Sequence, residues 1–193
     1  WDQTAFGTAA SPVIELSGKT LGVVGYGGVG RTIAEKARCF GMRVVATRRT
    51  ARPSDDGTEI VALERLLSES DVVVVTTPAT PETRGMIGRA QLALLKRDAV
   101  LINVARGNII DEQALIDTLR ADRIRGAGLD VFEREPLPEG SELWQLPNVL
   151  ILPHVSATTP LFWQRQADLI LDNFERYLTG RPLLNVVDKS AGY

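Results

Sequence analysis

Cysteine and histidine are scarce in this sequence. Among 193 residues, Cys39 and His154 are the single representatives of their types. One cysteine cannot form an internal disulfide, which is typical of proteins from a reducing compartment, and we therefore expect a cytoplasmic location. Cys39 itself is expected to be a small buried core residue. We predict no metal site.

Long apolar runs and an excess of basic charge are also missing. The longest apolar runs, which include those at 72–75 and 149–152, are far shorter than the ~20 residues that span a bilayer. The N-terminus lacks the basic and then apolar segments of a secretion signal. The 22 basic and 24 acidic residues give a net charge of −2, whereas a nucleic-acid binder usually needs a basic excess. We expect neither a membrane nor a nucleic acid as a partner.

Short apolar strands alternate with amphipathic helices along the chain. Apolar residues make up 44% of the sequence and charged residues 24%, which is typical of a soluble globular domain. We predict strands at 20–25, 42–47, 71–76, 99–103, 127–132 and 149–152, helices at 29–40, 60–67, 91–95, 111–120 and 160–178, and a further helix start at 80–83. This alternation predicts a single α/β domain with a doubly wound parallel sheet, which binds ligands at the carboxyl edge of its strands.

A glycine-rich turn joins the first predicted strand to the first helix. Its residues, Gly25-Tyr26-Gly27-Gly28-Val29-Gly30, match the pattern G-x-G-x-x-G. In this context Gly25 permits the tight turn, Gly27 lets the backbone approach a pyrophosphate, and Gly30 lets the helix pack close to the sheet. The pattern alone is weak, and a glycine-rich turn without a ligand is the alternative. Because a strand precedes it and a helix follows, it predicts a dinucleotide-binding Rossmann fold.

The end of the second predicted strand bears on which dinucleotide is bound. An NAD site usually places an acid there to bind the adenosine ribose, but no acid lies between Glu35 and Asp55. The strand is followed instead by Arg48 and Arg49. A guanidinium can chelate a 2′-phosphate that a carboxylate would repel. We therefore favour NADP(H) as the cofactor; the alternative is two solvated arginines beside a site that also accepts NAD(H).

Three polar side chains follow strands in the second half of the chain. Hydride transfer to a carbonyl leaves a developing alkoxide that needs a proton donor, which His154 can supply. Glu135 can orient the histidine, and Arg106 can hold a substrate carboxylate through two parallel hydrogen bonds. Each residue alone is explained as well by a structural role. Together they indicate a catalytic site, because each follows a strand at the predicted ligand edge.

Several motifs give the chain a resemblance to a known family. They are GKTLG at 18–22, the glycine loop, TTPATPETRGMIG at 76–88, NVARG at 103–107, GLDVFEREPLP at 128–138 and LPNVLILPHVSA at 146–157. In order and spacing they resemble the cofactor-binding domain of the D-isomer-specific 2-hydroxyacid dehydrogenases. The resemblance covers nearly the whole chain, and its last three motifs are the most specific.

The resemblance implies roles for particular residues. Arg106 is implied as the anchor of the substrate carboxylate, His154 as the general acid and base, and Glu135 as the partner of His154. Arg106 and His154 would also border the cofactor. Further cofactor-binding residues are implied on the nicotinamide side (Val104, Ala105, Asp130, Ser156, Ala157) and on the adenosine and phosphate side (Thr77, Pro78, Thr83).

The resemblance also implies an activity and an organisation. The activity is NAD(P)-dependent hydride transfer between nicotinamide and a small 2-keto or 2-hydroxy acid, and Arg48 favours the glyoxylate or hydroxypyruvate reductase type. We expect a leading segment at 1–19, the dinucleotide-binding domain at 20–180, and a return segment at 181–193 toward a flavodoxin-like catalytic domain absent from this sequence. Members commonly pair through this domain, so a homodimer is expected, with residues 161–163 on the paired face; the alternative is that these residues take part only in ordinary helix packing. The alternatives are a dinucleotide-sensing module like the related corepressors, or an enzyme like formate or phosphite dehydrogenase.

Overall fold

The computed structural model describes residues 13–49 and 53–189. Their strands form one parallel sheet of seven, in the order β3-β2-β1-β4-β5-β6-β7. The strands are β1 Thr20–Val24, β2 Arg43–Thr47, β3 Glu59–Ile60, β4 Val72–Val75, β5 Val100–Asn103, β6 Gly126–Leu129 and β7 Val149–Ile151. The predicted doubly wound parallel sheet is thus confirmed. The central strands read as continuous apolar runs because both of their faces are covered.

The register of the sheet brings the loops after several strands to one edge. Val24 at the end of β1 lies opposite Thr47 of β2 and Val75 of β4. Val75 in turn lies opposite Asn103 of β5, which lies opposite Leu129 of β6. The strand order reverses between β1 and β4, which is where such sheets open a crevice for ligands.

The described residues form five α-helices: α1 Gly28–Cys39, α2 Leu63–Glu69, α3 Arg89–Leu92, α4 Glu112–Arg120 and α5 Phe162–Leu178. From β1 to β3 successive strands are added toward one side of the sheet, and from β4 to β7 toward the other side. Right-handed crossovers therefore place the helices of the two halves on opposite faces. Ala34 and Ala37 of α1 pack in one apolar cluster with Val23 and Val74. The second cluster contains the buried leucines of α2, α3 and α4 (Leu66, Leu67, Leu92, Leu115, Leu119).

Three local predictions are wrong. Residues 59–60 are the short edge strand β3, and α2 begins only at Leu63. The segment at 80–83 forms no helix but a series of turns, because the side chain of Thr83 bonds back to the carbonyl of Pro78. Cys39 is exposed. It lies two residues after the buried Ala37, and two residues turn an α-helix by about 200°, away from the sheet.

Helix α5 stands apart from the core, since it contains no buried residue. Gly180 follows it with φ of 68°, a left-handed conformation that ends the helix. The chain after it is tied to the helix, because the side chain of Asn173 bonds both the N–H and the carbonyl of Leu184. Within the described ranges, no helix is long and apolar enough to cross a membrane.

Candidate active site

The glycine loop is shaped by two close approaches. Gly25 has φ of 101°, and a Cβ atom there would lie 2.6 Å from the Cα of Thr77. A Cβ atom on Gly30 would lie 2.4 Å from the carbonyl oxygen of Gly25. Larger residues at these two positions would push α1 and the loop after β4 away from β1. The functions predicted for Gly25 and Gly30 therefore have a steric basis.

The middle of the same loop faces open space. A Cβ atom on Gly27 or Gly28 would meet nothing within 4 Å. Gly27 is the N-cap of α1 and offers no side-chain oxygen to the N–H groups of the first turn. Exposed N–H groups at a helix N-terminus form an anion site. A cofactor pyrophosphate fits this loop, in which the side chain of Val29 is also exposed.

The end of β2 lies directly beside the glycine loop. The carbonyl of Thr47 accepts hydrogen bonds from the N–H groups of Gly25 (3.2 Å) and Tyr26 (2.9 Å). Arg48 follows, half-buried, and its guanidinium donates to the carbonyl of Pro53. Arg49 is exposed. Both predicted arginines thus follow the strand that borders the loop.

Arg49 also acts on the segment after β4. The pKa of Glu82 is lowered, first by a hydrogen bond with the side chain of Thr80 and more weakly by the charge of Arg49. In the same segment Thr77, Pro78 and Thr83 are half-buried. The Thr83 hydroxyl donates to the carbonyl of Pro78 at 2.7 Å. This links Thr83 to the Thr77–Pro78 pair, which lies against Gly25.

Glu135 and His154 meet where the loops after β6 and β7 converge. The Nδ1 atom of His154 lies 2.7 Å from Oε2 of Glu135. The other oxygen, Oε1, accepts from the N–H of Phe132 at 3.0 Å. The hydrogen bond with His154 lowers the pKa of Glu135; burial opposes this, while the Phe132 N–H and the charges of His154 and Arg106 assist it. The charge of Arg106 makes the smallest of these contributions.

Asp130 holds the turn that carries His154. Its side chain is 2% exposed and accepts from the N–H groups of Val155 (2.8 Å) and Ser156 (2.9 Å). Burial alone would raise the pKa of Asp130, but the hydrogen bonds from Ser156 and Val155 outweigh it and the pKa is lowered. His154 adopts φ of 55°, in the left-handed region. The charged Asp130 thus fixes an unusual backbone conformation. Ala157, the residue after Ser156, is exposed.

Asn103 shapes the loop that presents Arg106. It is a polar residue at the end of an apolar strand and is 1% exposed. Its side chain accepts from the N–H of Ala105 (3.1 Å) and donates to the carbonyl of Arg106 (3.0 Å). Arg106 is exposed, with Nη1 donating to the carbonyl of Ala105 at 2.6 Å, while Val104 is half-buried.

At Gly107 the loop after β5 packs directly against the loop after β6. A Cβ atom there would lie 1.8 Å from the carbonyl carbon of Phe132. Glu112 adds a second link, since its carboxylate accepts from the N–H of Glu133 at 3.0 Å. These positioning roles were missed by sequence reasoning, as was that of Asn103. Two features could have indicated these roles: a buried polar residue at the end of an apolar strand, and a glycine directly after an arginine.

The fold and the site together define a dinucleotide-binding domain of the doubly wound class. The family model for the D-isomer specific 2-hydroxyacid dehydrogenase, NAD binding domain, matches residues 2–156. The chain therefore belongs to this family, and the predicted resemblance is confirmed.

Named relatives agree with this assignment. The chain is 42% identical over 179 residues to a glycerate dehydrogenase of Methylorubrum extorquens, covering 92% of this chain and 55% of that protein. It is 42% identical over 177 residues to a glyoxylate reductase of Thermococcus litoralis, covering 90% of this chain and 53% of that protein. The chain thus spans about half the length of these curated relatives.

A solved structure shares the fold closely. It is a D-isomer specific 2-hydroxyacid dehydrogenase from Xanthobacter autotrophicus, described as a complex with NADPH and MES. The TM-score is 0.85 at 41% sequence identity, covering 93% of this chain and 75% of that one.

Proposed function

We propose that this chain is the cofactor-binding half of an NADPH-dependent reductase of small 2-keto acids. The observation that carries the proposal is the 2.7 Å contact between His154 and Glu135 at the carboxyl edge of the sheet. The charge of Arg106 acts on the same carboxylate. A proton donor, its orienting acid and a carboxylate anchor are the groups that keto-acid reduction requires.

The glycine loop would hold the cofactor's pyrophosphate. The open face of Gly27 and Gly28 leaves room for the phosphates against the N-terminus of α1. Thr77, Pro78 and Thr83 would border the adenosine and phosphate side, while Val104, Ala105, Asp130, Ser156 and Ala157 would border the nicotinamide. The chemistry supplied by the bound nicotinamide is delivery of a hydride to the substrate's carbonyl carbon.

His154 would donate the proton that completes the reduction. As the carbonyl is reduced, its oxygen would take a proton from the imidazole ring of His154. Glu135 accepts a hydrogen bond at Nδ1, which leaves Nε2 for the substrate oxygen. The net reaction converts a 2-keto acid, reduced cofactor and one proton into a 2-hydroxy acid and oxidised cofactor.

Arg106 would bind the substrate carboxylate. A guanidinium forms two parallel hydrogen bonds with a carboxylate, which fixes the orientation of the adjacent carbonyl. Asn103 holds the backbone on both sides of Arg106, because it bonds both the Ala105 N–H and the Arg106 carbonyl. We assign the substrate class on this basis: a carbonyl next to a carboxylate.

Arg48 supports NADPH over NADH. It lies next to Thr47, whose carbonyl binds the glycine loop, and no acid occupies the end of β2. The Xanthobacter structure is described as an NADPH complex, which supports the same choice. The relatives carry dehydrogenase and reductase names, so a corepressor-like function is not favoured.

The role of His154 is tested in the full-length enzyme. We expect His154→Ala to lower kcat for a 2-keto acid by roughly 10²–10⁴-fold, the usual contribution of a general acid. The affinity for NADPH, measured by fluorescence titration, should stay nearly unchanged. If kcat and cofactor affinity fall together, His154 is a structural residue and the proposal fails.

A further inference from the structure

A cluster of polar side chains ties the loop before β3 to the glycine loop. The ring of Tyr26 is 4% exposed. Its hydroxyl donates to Oδ2 of Asp56 at 2.5 Å and lies 2.6 Å from Oγ1 of Thr58. The side chain of Tyr26 is therefore directed to the loop before β3, and only its backbone contributes to the glycine loop. We call Tyr26, Arg38, Asp56 and Thr58 the tyrosine cluster.

Two arginines of α1 neutralise the acids of this loop. Arg38 lies 3.4 Å from Asp56 and also donates to Thr58. Arg31 lies 3.4 Å from Asp55, with its guanidinium 5.5 Å from the centre of the Tyr26 ring. The pKa of Asp56 is lowered well below its usual value, chiefly by the Tyr26 hydroxyl. Asp56 is therefore held as a charged acceptor and turned toward α1.

The same loop contacts Arg48 at its other end. The Arg48 guanidinium donates to the carbonyl of Pro53, three residues before Asp56. The hydroxyl of Ser54, the next residue, donates to the carbonyl of Thr58 at 2.6 Å. The position of the Pro53 carbonyl thus depends on a segment closed by Thr58, and Thr58 is bound by Tyr26.

This arrangement has two consequences for an anion bound beside Arg48. An ordered Pro53 carbonyl keeps the guanidinium in one orientation before binding, which reduces the entropy lost on binding. The carboxylates of Asp55 and Asp56 would repel a phosphate if they turned toward it, and both are directed to arginines of α1 instead.

We propose that the tyrosine cluster determines selectivity for the 2′-phosphate of NADPH by positioning Arg48 and directing the carboxylate of Asp56 away from it. This inference rests on the proposed function, because it requires that NADPH is the preferred cofactor. Tyr26 and Thr58 act in it as positioning residues through Arg48. The affinity for NADH, which lacks the phosphate, should depend on them far less.

The test compares the dissociation constants of NADPH and NADH by fluorescence titration. Tyr26→Phe removes the hydroxyl that binds Asp56 and Thr58. We expect the ratio of NADPH to NADH affinity to fall by about fivefold, because part of the energy of these two hydrogen bonds acts on the position of Arg48. Tyr177→Phe is the matched control, because Tyr177 on α5 is 74% exposed. The ratio of NADPH to NADH affinity of this variant should equal that of the parent.

Arg48→Ala separates the inference from the proposed function on which it rests. If the parent does not prefer NADPH, both fail. If Arg48→Ala removes the preference while Tyr26→Phe keeps it, the proposed function stands and the role of the cluster is refuted. An equal loss of both affinities in Tyr26→Phe also refutes it, since that result indicates general destabilisation. Should Tyr26→Phe not fold, Thr58→Val removes the second hydroxyl and is judged by the same ratio.

Discussion

Gly107 lies where two loops of the candidate site touch, with no space for a side chain between them. A Cβ atom at this position would lie 1.8 Å from the backbone of Phe132. The loop with Arg106 and the loop with Glu135 therefore depend on this glycine for their spacing. From the sequence, NVARG identified the arginine, but the reason for the glycine lies in a contact with a distant part of the chain.

Gly107→Ala should separate these two loops. We expect a loss of stability of about 1–3 kcal/mol, typical of overpacking, together with lower kcat in the full-length enzyme. Urea unfolding and steady-state kinetics measure the two effects. Gly140→Ala is the control, because a Cβ atom there meets nothing within 4 Å. Equal effects at the two glycines would contradict the steric explanation.

Other residues of the site differ in how readily sequence reveals them. His154, Glu135 and Arg106 could be chosen because their chemistry fits a reaction and each follows a strand. The function of Asp130 as an acceptor for the turn that carries His154 could not be inferred from the sequence. It depends on a left-handed backbone conformation at His154 that no local pattern specifies. Asn103 belongs to the same group.

Among the strands and helices, hydrophobic periodicity predicted most elements. The segment at 59–67 was mistaken for one helix because Ile60 continues the spacing of Leu63 and Leu67. Ile60 instead pairs with Ala46 at the sheet edge, a contact between distant parts of the chain. Asp111, at the start of the helix predicted at 111–120, is the N-cap of α4, since its side chain accepts from the N–H of Ala114 at 3.0 Å.

Asp71 joins β1 to the start of β4 and makes stability depend on pH. It accepts from the N–H of Thr20 (2.8 Å) and from Lys96 (3.0 Å). Burial would raise the pKa of Asp71, but these two hydrogen bonds outweigh it and the pKa is lowered. The unfolded chain then binds the proton more readily, so this stabilisation is complete above pH ~4, the pKa of an unfolded aspartate. The stabilisation is lost as the pH falls through the lower pKa that Asp71 has in the folded protein.

Asp71→Asn should reduce the free energy of unfolding at pH 7 by on the order of 1 kcal/mol. The difference from the parent should shrink as the pH falls below about 4. Urea unfolding at several pH values measures it, with Asp98→Asn at an exposed position as the control. A difference that stays constant down to acid pH would show that the charge of Asp71 is not responsible.

Across the molecule as a whole, α5 leaves a large apolar surface uncovered. Trp163 is 78% exposed, and Leu161, Leu171 and Phe174 are also exposed. Exposed apolar patches of this kind mark interaction surfaces. The sequence predicts the helix and its apolar residues, but it does not predict that they remain uncovered, because coverage depends on what packs against them.

We predict that two copies of the chain pair through residues 161–163. Sedimentation velocity over a range of concentrations should show a dimer, and Trp163→Glu should shift the chain to a monomer. Glu175→Gln, on the same helix, serves as a control for altered charge. A monomer at every concentration would refute the pairing.

Binding of NADPH at a site built from the glycine loop and Arg48 underlies both the proposed function and the inferred role of the tyrosine cluster. A fluorescence titration of the chain with NADPH and NADH in parallel, repeated on Arg48→Asp, tests it without requiring turnover. We expect the parent to bind NADPH more tightly than NADH, and the ratio of NADPH to NADH affinity to be lower in the variant. Tighter binding of NADH by the parent, or an unchanged ratio in Arg48→Asp, would contradict the proposal.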